Sequence, residues 1–363
     1  MADARRPARR GNRRMTEPDD FRRWLSKVGR LLTPCLAVFF LSSCGQSPDC
    51  YREEVFCAAL ATDTQGLNDF GVNQDAWAGL QQAKAEGVVR RVEYIESVDA
   101  RDYGKNIAYF ADLGFDVIFT VGAAMADETL RAAELYPASV FVGVNQPARE
   151  SRANFVSVTF PEDQMGFLAG ALAARISKTQ VVCAVCETSG IASQWRYCEG
   201  FRAGVDFFNA EKGANVKPLI LYREDGDREK LFVDEAWGAS AAASLIRRGA
   251  DVLFAAGGAT GQGALRAALE AGVKVIGTER DQRAALKDSG TGVVASILGD
   301  ARFEVQQTLL LAAEGNIPQA RLGPIRHIPL DRALSESLTL EMDSLLLKLW
   351  HGEVKTNVTL SKP

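Results

Sequence analysis

The side chains best suited to chemistry are scarce in this chain, and their spacing narrows what they can do. Two histidines, His327 and His351, are the only imidazoles among 363 residues, and both lie near the C-terminus. A histidine base beside a nucleophile, or zinc held by imidazoles, therefore has little to build on. No G-x-S-x-G elbow is present either. Cys183-Ala-Val-Cys186 has the spacing of a redox pair but lies in the strand-like run 180–186. Residues three apart on a strand point to opposite faces, and a reactive dithiol needs a helix N-terminus to lower its pKa. These two read as buried strand cysteines, with Cys198 a candidate partner for one of them; no second C-x-x-C completes a zinc site. Gly257-Gly258-Ala-Thr-Gly261-Gln-Gly263, with Glu279 further on, imitates a dinucleotide fingerprint. Its G-x-G-x-x-G spacing ends in Arg266, however, and the motif falls late in the chain. What remains is a set of carboxylates and amides, suited to binding rather than turnover.

An alternation of strand and helix patterns carries those residues. Strand patterns at 55–61, 89–95, 115–121 and 139–145 are separated by helix patterns at 73–86, 102–113 and 125–135. After Pro161 the rhythm restarts, with helices at 162–177, 194–211, 233–248 and 261–271 and strands at 180–186, 216–222, 250–256 and 273–279. Asp116-Val-Ile-Phe-Thr-Val121 and Asp251-Val-Leu-Phe-Ala-Ala256 are apolar throughout, as parallel strands covered by helices on both faces are. The expected class is α/β, two Rossmann-like lobes joined by a hinge near 157–161 and 279–282. Lobe 1 spans 54–158, completed by about 281–323; lobe 2 spans 159–280, completed by about 324–363. Ligands of such lobes sit at the C-terminal strand ends. Those ends carry Asp63, Gly122, Asn145, Glu187, Gly257 and Glu279, the polar rim of a clamshell for a small molecule.

Charge and the N-terminus add a location. Residues 1–43 hold ten of the 42 Lys and Arg and four of the 46 Asp and Glu, so the remainder is net −10. Such a body is a poor partner for nucleic acid. Basic residues at 5–30, a short apolar stretch from Leu31 to Leu41, and Leu41-Ser42-Ser43-Cys44 have the order of an export signal. Cys44 then resembles a lipobox cysteine, acylated after cleavage, with 44–53 a linker; Met15 is a second candidate start. Five cysteines remain in the exported chain, an odd number that leaves at least one without a partner inside it.

Several runs resemble the basic membrane protein family, the purine-nucleoside receptor lipoproteins of ABC importers. Thr62-Asp63-Thr-Gln-Gly66-Leu67-Asn68-Asp69-Phe-Gly-Val72-Asn73-Gln74 is similar to the family pattern T-D-x-G-G-F-N-D-x-S-F-N-Q. Phe160-Pro-Glu-Asp-Gln-Met-Gly-Phe-Leu-Ala-Gly170, Gly200-Phe-Arg-Ala-Gly204 and the run 250–263 extend the likeness from about 54 to 315. The resemblance implies a type I periplasmic-binding-protein fold, no cofactor and no catalysis. It implies a small-molecule ligand, a purine nucleoside, together with ABC permease subunits as partners and a lipid anchor in the membrane. A ligand sensor for a membrane partner is the alternative reading. By the resemblance Asp63 contacts the base, Tyr197 stands where a Phe stacks on it, and Glu279 takes the place of the aspartate that grips the ribose diol. Val72 replaces a second stacking Phe, Asn145 an Asp, and Gly299, by spacing, a ribose-binding Lys.

The candidate ligand set is Asp63, Asn68, Asp69, Asn73, Gln74, Gly122, Asn145, Tyr197, Gly257 and Glu279. Each has a structural alternative. Asn68, Asp69, Asn73 and Gln74 equally suit a loop closure and helix cap. Trp77 reads as core, because Ala76, Leu80 and Ala83 share its side, and Trp195 reads as a surface or cleft ring.

Overall fold

The computed structural model describes residues 47–148, 150–227, 230–288, 290–329 and 334–363. The expected export signal of 1–43 and its Cys44 lie outside them. Two six-stranded sheets form the frame. The first contains β1 (Cys57–Ala61), β2 (Arg91–Ile95), β3 (Val117–Val121), β4 (Val140–Val144), β5 (Phe155–Thr159) and β11 (Ala320–Leu322), all parallel, in the order β2-β1-β3-β4-β5-β11. The second contains β6 (Val181–Cys186), β7 (Lys217–Tyr222), β8 (Val252–Ala255), β9 (Lys274–Thr278), β10 (Val293–Gly299) and β12 (Ile325–Pro329), in the order β7-β6-β8-β9-β10-β12. Only β12 runs antiparallel there. β1, β3 and β8 are buried along their whole length, as their uninterrupted apolar sequence requires.

Helices α1 (Val72–Ala85), α2 (Tyr103–Asp112) and α3 (Ala126–Leu135) cover the first sheet. In α1 the buried Ala76, Leu80 and Ala83 form one stripe at helical spacing. Helices α4 (Glu162–Ile176), α5 (Ala192–Lys212), α6 (Glu235–Ile246), α7 (Gly258–Glu270) and α8 (Gln282–Leu286) belong with the second sheet. The α4–α5 pair is set by glycine. A Cβ at Gly166 or Gly170 would strike the backbone of Tyr197 or Phe201, and one at Gly200 or Gly204 the backbone of Asp163 or Phe167. Those four glycines are what the matching 160–170 and 200–204 runs encode; they fix Tyr197 over the second sheet. Helix α9 (Ala301–Ala313) packs on α1, and α10 (Glu336–Trp350) closes the second lobe against α4.

The chain crosses between sheets three times, after Thr159, after Gly299 and after Leu322. The crossings are tied together: Gly323 N–H donates to Thr159 O and Asp300 N–H to Pro324 O, both at 2.8 Å. The Phe160 ring sits among them, and a Cβ at Gly299 or Gly323 would collide with it. This corrects the sequence expectation in two places. Strand β10 lies in the second sheet, not among the 281–323 residues that complete the first, because its buried run pairs with β9 and β12. Segment 279–282 is accordingly a strand tip of lobe 2 rather than a hinge crossing. The described part of the 44–53 linker is also not free along its length. Cys50 is buried and bonded to Cys57, and the Tyr51 hydroxyl donates to Asp112 O. Cys186 pairs with Cys198, while buried Cys183 is the free thiol among the described residues, pushed up to about 12 by burial.

Candidate functional site

Corresponding strand tips in the two lobes bear the candidate residues. In lobe 1, Asp63 follows β1 and is 8% exposed. Its carboxylate accepts the Gln65 N–H (3.1 Å), Gln65 Nε2 (3.2 Å) and Asn73 Nδ2 (3.0 Å). Burial nevertheless dominates and raises the Asp63 pKa above the usual range. Asp69 is the cap of α1. Its Oδ1 accepts Gly71 N–H (2.8 Å) and Gln74 N–H (3.1 Å), and its Oδ2 accepts Asn73 N–H (3.1 Å) and Asn73 Nδ2 (3.2 Å). Three bonds from the orphan backbone donors at the helix start, with a fourth from the Asn73 side chain, are the capping alternative realised. Asn73 is thereby fixed between two aspartates, and its Oδ1 is buried without a hydrogen-bond partner. Asn68 and Gln74 are exposed.

Gly122 follows β3 at φ +99, where a Cβ would come within 2.6 Å of Asp63 Oδ2. Asn145 follows β4 at φ +59, a left-handed backbone that Asn tolerates better than most residues. Next to it stands Gln146, fully buried, with Nε2 donating to Thr120 Oγ1 (3.0 Å) and Gly122 O (3.1 Å) and Oε1 left without a partner. Gln146 escaped the sequence reading because it lies one residue past the tip.

In lobe 2, Gly257 and Gly258 follow β8 at φ +109 and +58 and open α7. Their two N–H groups both donate to Glu279, at 2.9 Å to each carboxylate oxygen. Successive amides at a helix N-terminus make an anion nest, and here the anion is a side chain of the same lobe. Glu279 itself is at φ +68, a conformation that costs a non-glycine residue about 1–3 kcal/mol. Each of its oxygens keeps one lone pair for a further donor. Tyr197 is 7% exposed and tilts against Phe254 at 6.2 Å. Burial, then the charges of Glu162 and Glu279, drive its phenol well above the usual pKa. Glu187, at the tip of β6, is fully buried.

The lobes meet beside these tips. Asp281 N–H donates to Phe70 O (2.9 Å), Gly71 forms an antiparallel bridge with Arg280, and Arg280 Nη2 donates to Gln65 Oε1 (2.6 Å). The bridge links the loop holding Asp63 and Asp69 to the residue after Glu279. Arg326 of β12 also pairs with Asp75 of α1.

The remaining positions go elsewhere. Val72 is half-buried against the core shared by both lobes, as is Trp77, whose ring also meets Tyr94 at 4.9 Å. A side chain at Gly299 would run into Phe160, so the hinge itself bars the cation that the resemblance expects there. Trp195 stacks on Tyr222 and donates from Nε1 to Thr359 Oγ1 (3.1 Å), which engages it with the C-terminal tail. Among the described residues, no cluster of three or more His, Cys, Asp or Glu is arranged to hold a metal ion, and no helix is long and apolar enough to cross a membrane.

The tips therefore present acceptors at fixed positions, the equipment for holding hydrogen-bond donors. Known proteins give that arrangement a lineage. A CD4+ T-cell-stimulating antigen of Listeria monocytogenes is 30% identical over 259 residues, covering 67% of this chain and 69% of its own length. An ABC transporter nucleoside-binding protein of Lactococcus lactis is 30% identical over 238 residues, 62% of this chain and 64% of its own. An ABC transporter solute-binding protein from Conexibacter woesei shares the fold with a TM-score of 0.68 at 22% identity, over 85% of this chain and all of its own. Residues 57–320 match the family described as ABC transporter substrate-binding protein PnrA-like. The chain belongs to that family of binding proteins.

Proposed function

We propose that the protein captures a neutral purine nucleoside between its lobes and delivers it to an ABC permease, from an extracytoplasmic position anchored through an acylated Cys44. The observation that carries this reading is a carboxylate at a strand tip of each lobe, buried Asp63 after β1 and half-buried Glu279 after β9, each immobilised by bonds from its own lobe. Fixed acceptors suit the N–H edge of a base and the hydroxyls of a diol, and charge-assisted bonds to them are stronger than neutral ones. The same charges disfavour a phosphorylated ligand, so the nucleoside rather than its monophosphate is the fitting solute. The nucleoside-binding relative supports the ligand class.

Calorimetry with guanosine, inosine and adenosine tests it. Binding of a nucleoside, much weaker binding of its 5′-monophosphate, and a loss of about 1.5–3 kcal/mol for Glu279→Gln on the riboside are the expected results. Loss with the riboside but not with a 2′,3′-dideoxy analogue assigns Glu279 to the diol. No heat with any nucleoside ends the reading. Release of Cys44→Ser from membranes tests the anchor, and unchanged fractionation and mass would remove it.

A further inference from the structure

Glu187 stands in lobe 2 where Asp63 stands in lobe 1. Each follows the strand at the switch point of its sheet, β6 between β7 and β8, β1 between β2 and β3. Each lies against the left-handed glycine of the adjoining strand tip: a Cβ at Gly257 would come within 2.7 Å of Glu187 Cγ, as one at Gly122 would meet Asp63. The two differ in how their oxygens are used. Asp63 has both bonded. Glu187 spends Oε1 on the Phe232 N–H (2.8 Å), while Oε2 is buried with no hydrogen-bond partner. A buried carboxylate oxygen left unbonded is expensive, more so than a neutral acceptor, and such groups call for a role. The surroundings hold the side chain in place without satisfying it. Gln194 Oε1 accepts the Glu187 N–H (3.2 Å), and the Cys186–Cys198 disulfide ties the tip of β6 to α5. Arg223, also buried, is committed to Asp225, Asp234 and Lys230 O. Phe232, whose N–H covers this carboxylate, is at φ +65, and its carbonyl accepts the Ala259 N–H (2.8 Å).

We infer that Glu187 is a specificity-determining residue of the cleft, its free Oε2 accepting an N–H or O–H donor of a neutral ligand. The inference deepens the nucleoside reading and rests on it for the ligand class. It gives lobe 2 an uncommitted carboxylate oxygen at the tip where the corresponding acid of lobe 1 has both oxygens bonded.

The test is titration calorimetry of the unsubstituted protein and of Glu187→Gln with guanosine, inosine, adenosine and D-ribose, with thermal midpoints confirming that both are folded. Gln keeps the acceptor for Phe232 and presents an amide donor in place of Oε2. Expected is a nucleoside affinity lower by about ten- to a hundredfold in the variant, the range for a bond to a charged group. Glu187→Asp, which withdraws the carboxylate by one methylene but keeps its charge, should fall between the two. Equal nucleoside affinity in all three proteins overturns the role of Glu187 and leaves the nucleoside reading standing. Binding of ribose but of no nucleoside overturns the nucleoside reading, and Glu187 is then judged by the same ratio on ribose. Binding of none of the four overturns both.

Discussion

The two lobes repeat one backbone and diverge in chemistry. Strand orders β2-β1-β3-β4-β5 and β7-β6-β8-β9-β10 correspond, and so do their tips: Asp63 with Glu187, Gly122 with Gly257, Asn145 with Glu279. Even the supports match, since Gly143 leaves room for Gln146 and Gly277 for Gln282, and Ser157 and Ser296 hold the backbone beside them. In lobe 1 the acid is hydrogen-bonded by neighbouring amides, and a 3-10 turn separates Gly122 from α3. In lobe 2 two successive left-handed glycines start the helix directly and seat Glu279. A duplicated fold thus offers one tip acid with both oxygens bonded and one with an oxygen in reserve, and a few side chains at the tips make the difference.

Breaking the shared glycine positions has the largest expected effect. Valine at Gly122 or Gly257 imposes a left-handed backbone on a β-branched residue and drives its Cβ into a buried carboxylate. Each change should lower stability by about 2–5 kcal/mol, combining backbone strain with overpacking, as read by urea unfolding. A loss under 1 kcal/mol at either site would mean that the two tips are not equally constrained.

Next come the disulfides, one per lobe. Closing loops of sequence separation 7 and 12, Cys50–Cys57 and Cys186–Cys198 should each contribute about 2–4 kcal/mol. Their consequences for binding should differ. Alanine at Cys198 loosens the segment that carries Glu187 and should weaken ligand affinity as well as stability. Alanine at Cys50 should leave affinity unchanged. Equal effects on binding would sever the link between the β6 tip and the ligand.

The smallest effect compares one motif with itself. Asp116 and Asp251 begin the parallel runs DVIF and DVLF, yet their carboxyls shift in opposite directions. Burial raises Asp116, and the bonds from Cys57 N–H (2.7 Å) and from its own backbone do not offset it. Burial also works against Asp251, but donors at Ser177 Oγ (2.6 Å), Lys178 N–H (2.6 Å) and Thr179 N–H (3.0 Å) outweigh it and hold the group below its ordinary 3.8. Asp251 therefore contributes stability above pH 3.8, lost as pH falls through its lower folded pKa. The contribution of Asp116 is present below 3.8 and lost as pH rises through its raised pKa. Asp251→Asn should unfold at lower temperature than the unsubstituted protein at pH 7, with the gap closing toward pH 3. Asp116→Asn should match or exceed it at pH 7 and fall behind in acid. Parallel melting curves for the two variants would contradict the assignment.

Much of the frame is legible in the chain itself. Apolar runs such as 117–121 and 252–255 announce buried parallel strands, and the stripe of Ala76, Leu80 and Ala83 announces α1, because periodicity is local. Strands β5 and β11 and helix α8 do not stand out. Ala320–Leu322 is a strand only through its pairing with β5, and Gln282–Leu286 is a single turn capped by Asp281. In the site, the aspartate and glutamate at the tips could be found by position alone. The orphaned Gln146 and the spare oxygen of Glu187 could not, because whether a polar atom has a partner depends on residues far away in sequence.

The sequence by itself determined the βα alternation, the polar strand tips and the family. Each is written in side-chain order and spacing. Only the tertiary structure decided that β10 joins the second sheet, that Cys186 rather than Cys183 reaches Cys198, and that Glu279 is seated by Gly257 and Gly258. Cys183 and Cys186 do face opposite sides of β6, as strand geometry demands, but which side carries α5 is a matter of how helices pack across the sheet. Sheet membership and hydrogen-bond partnership are long-range choices, made by the energies of whole layers meeting rather than by the local pattern of any one segment.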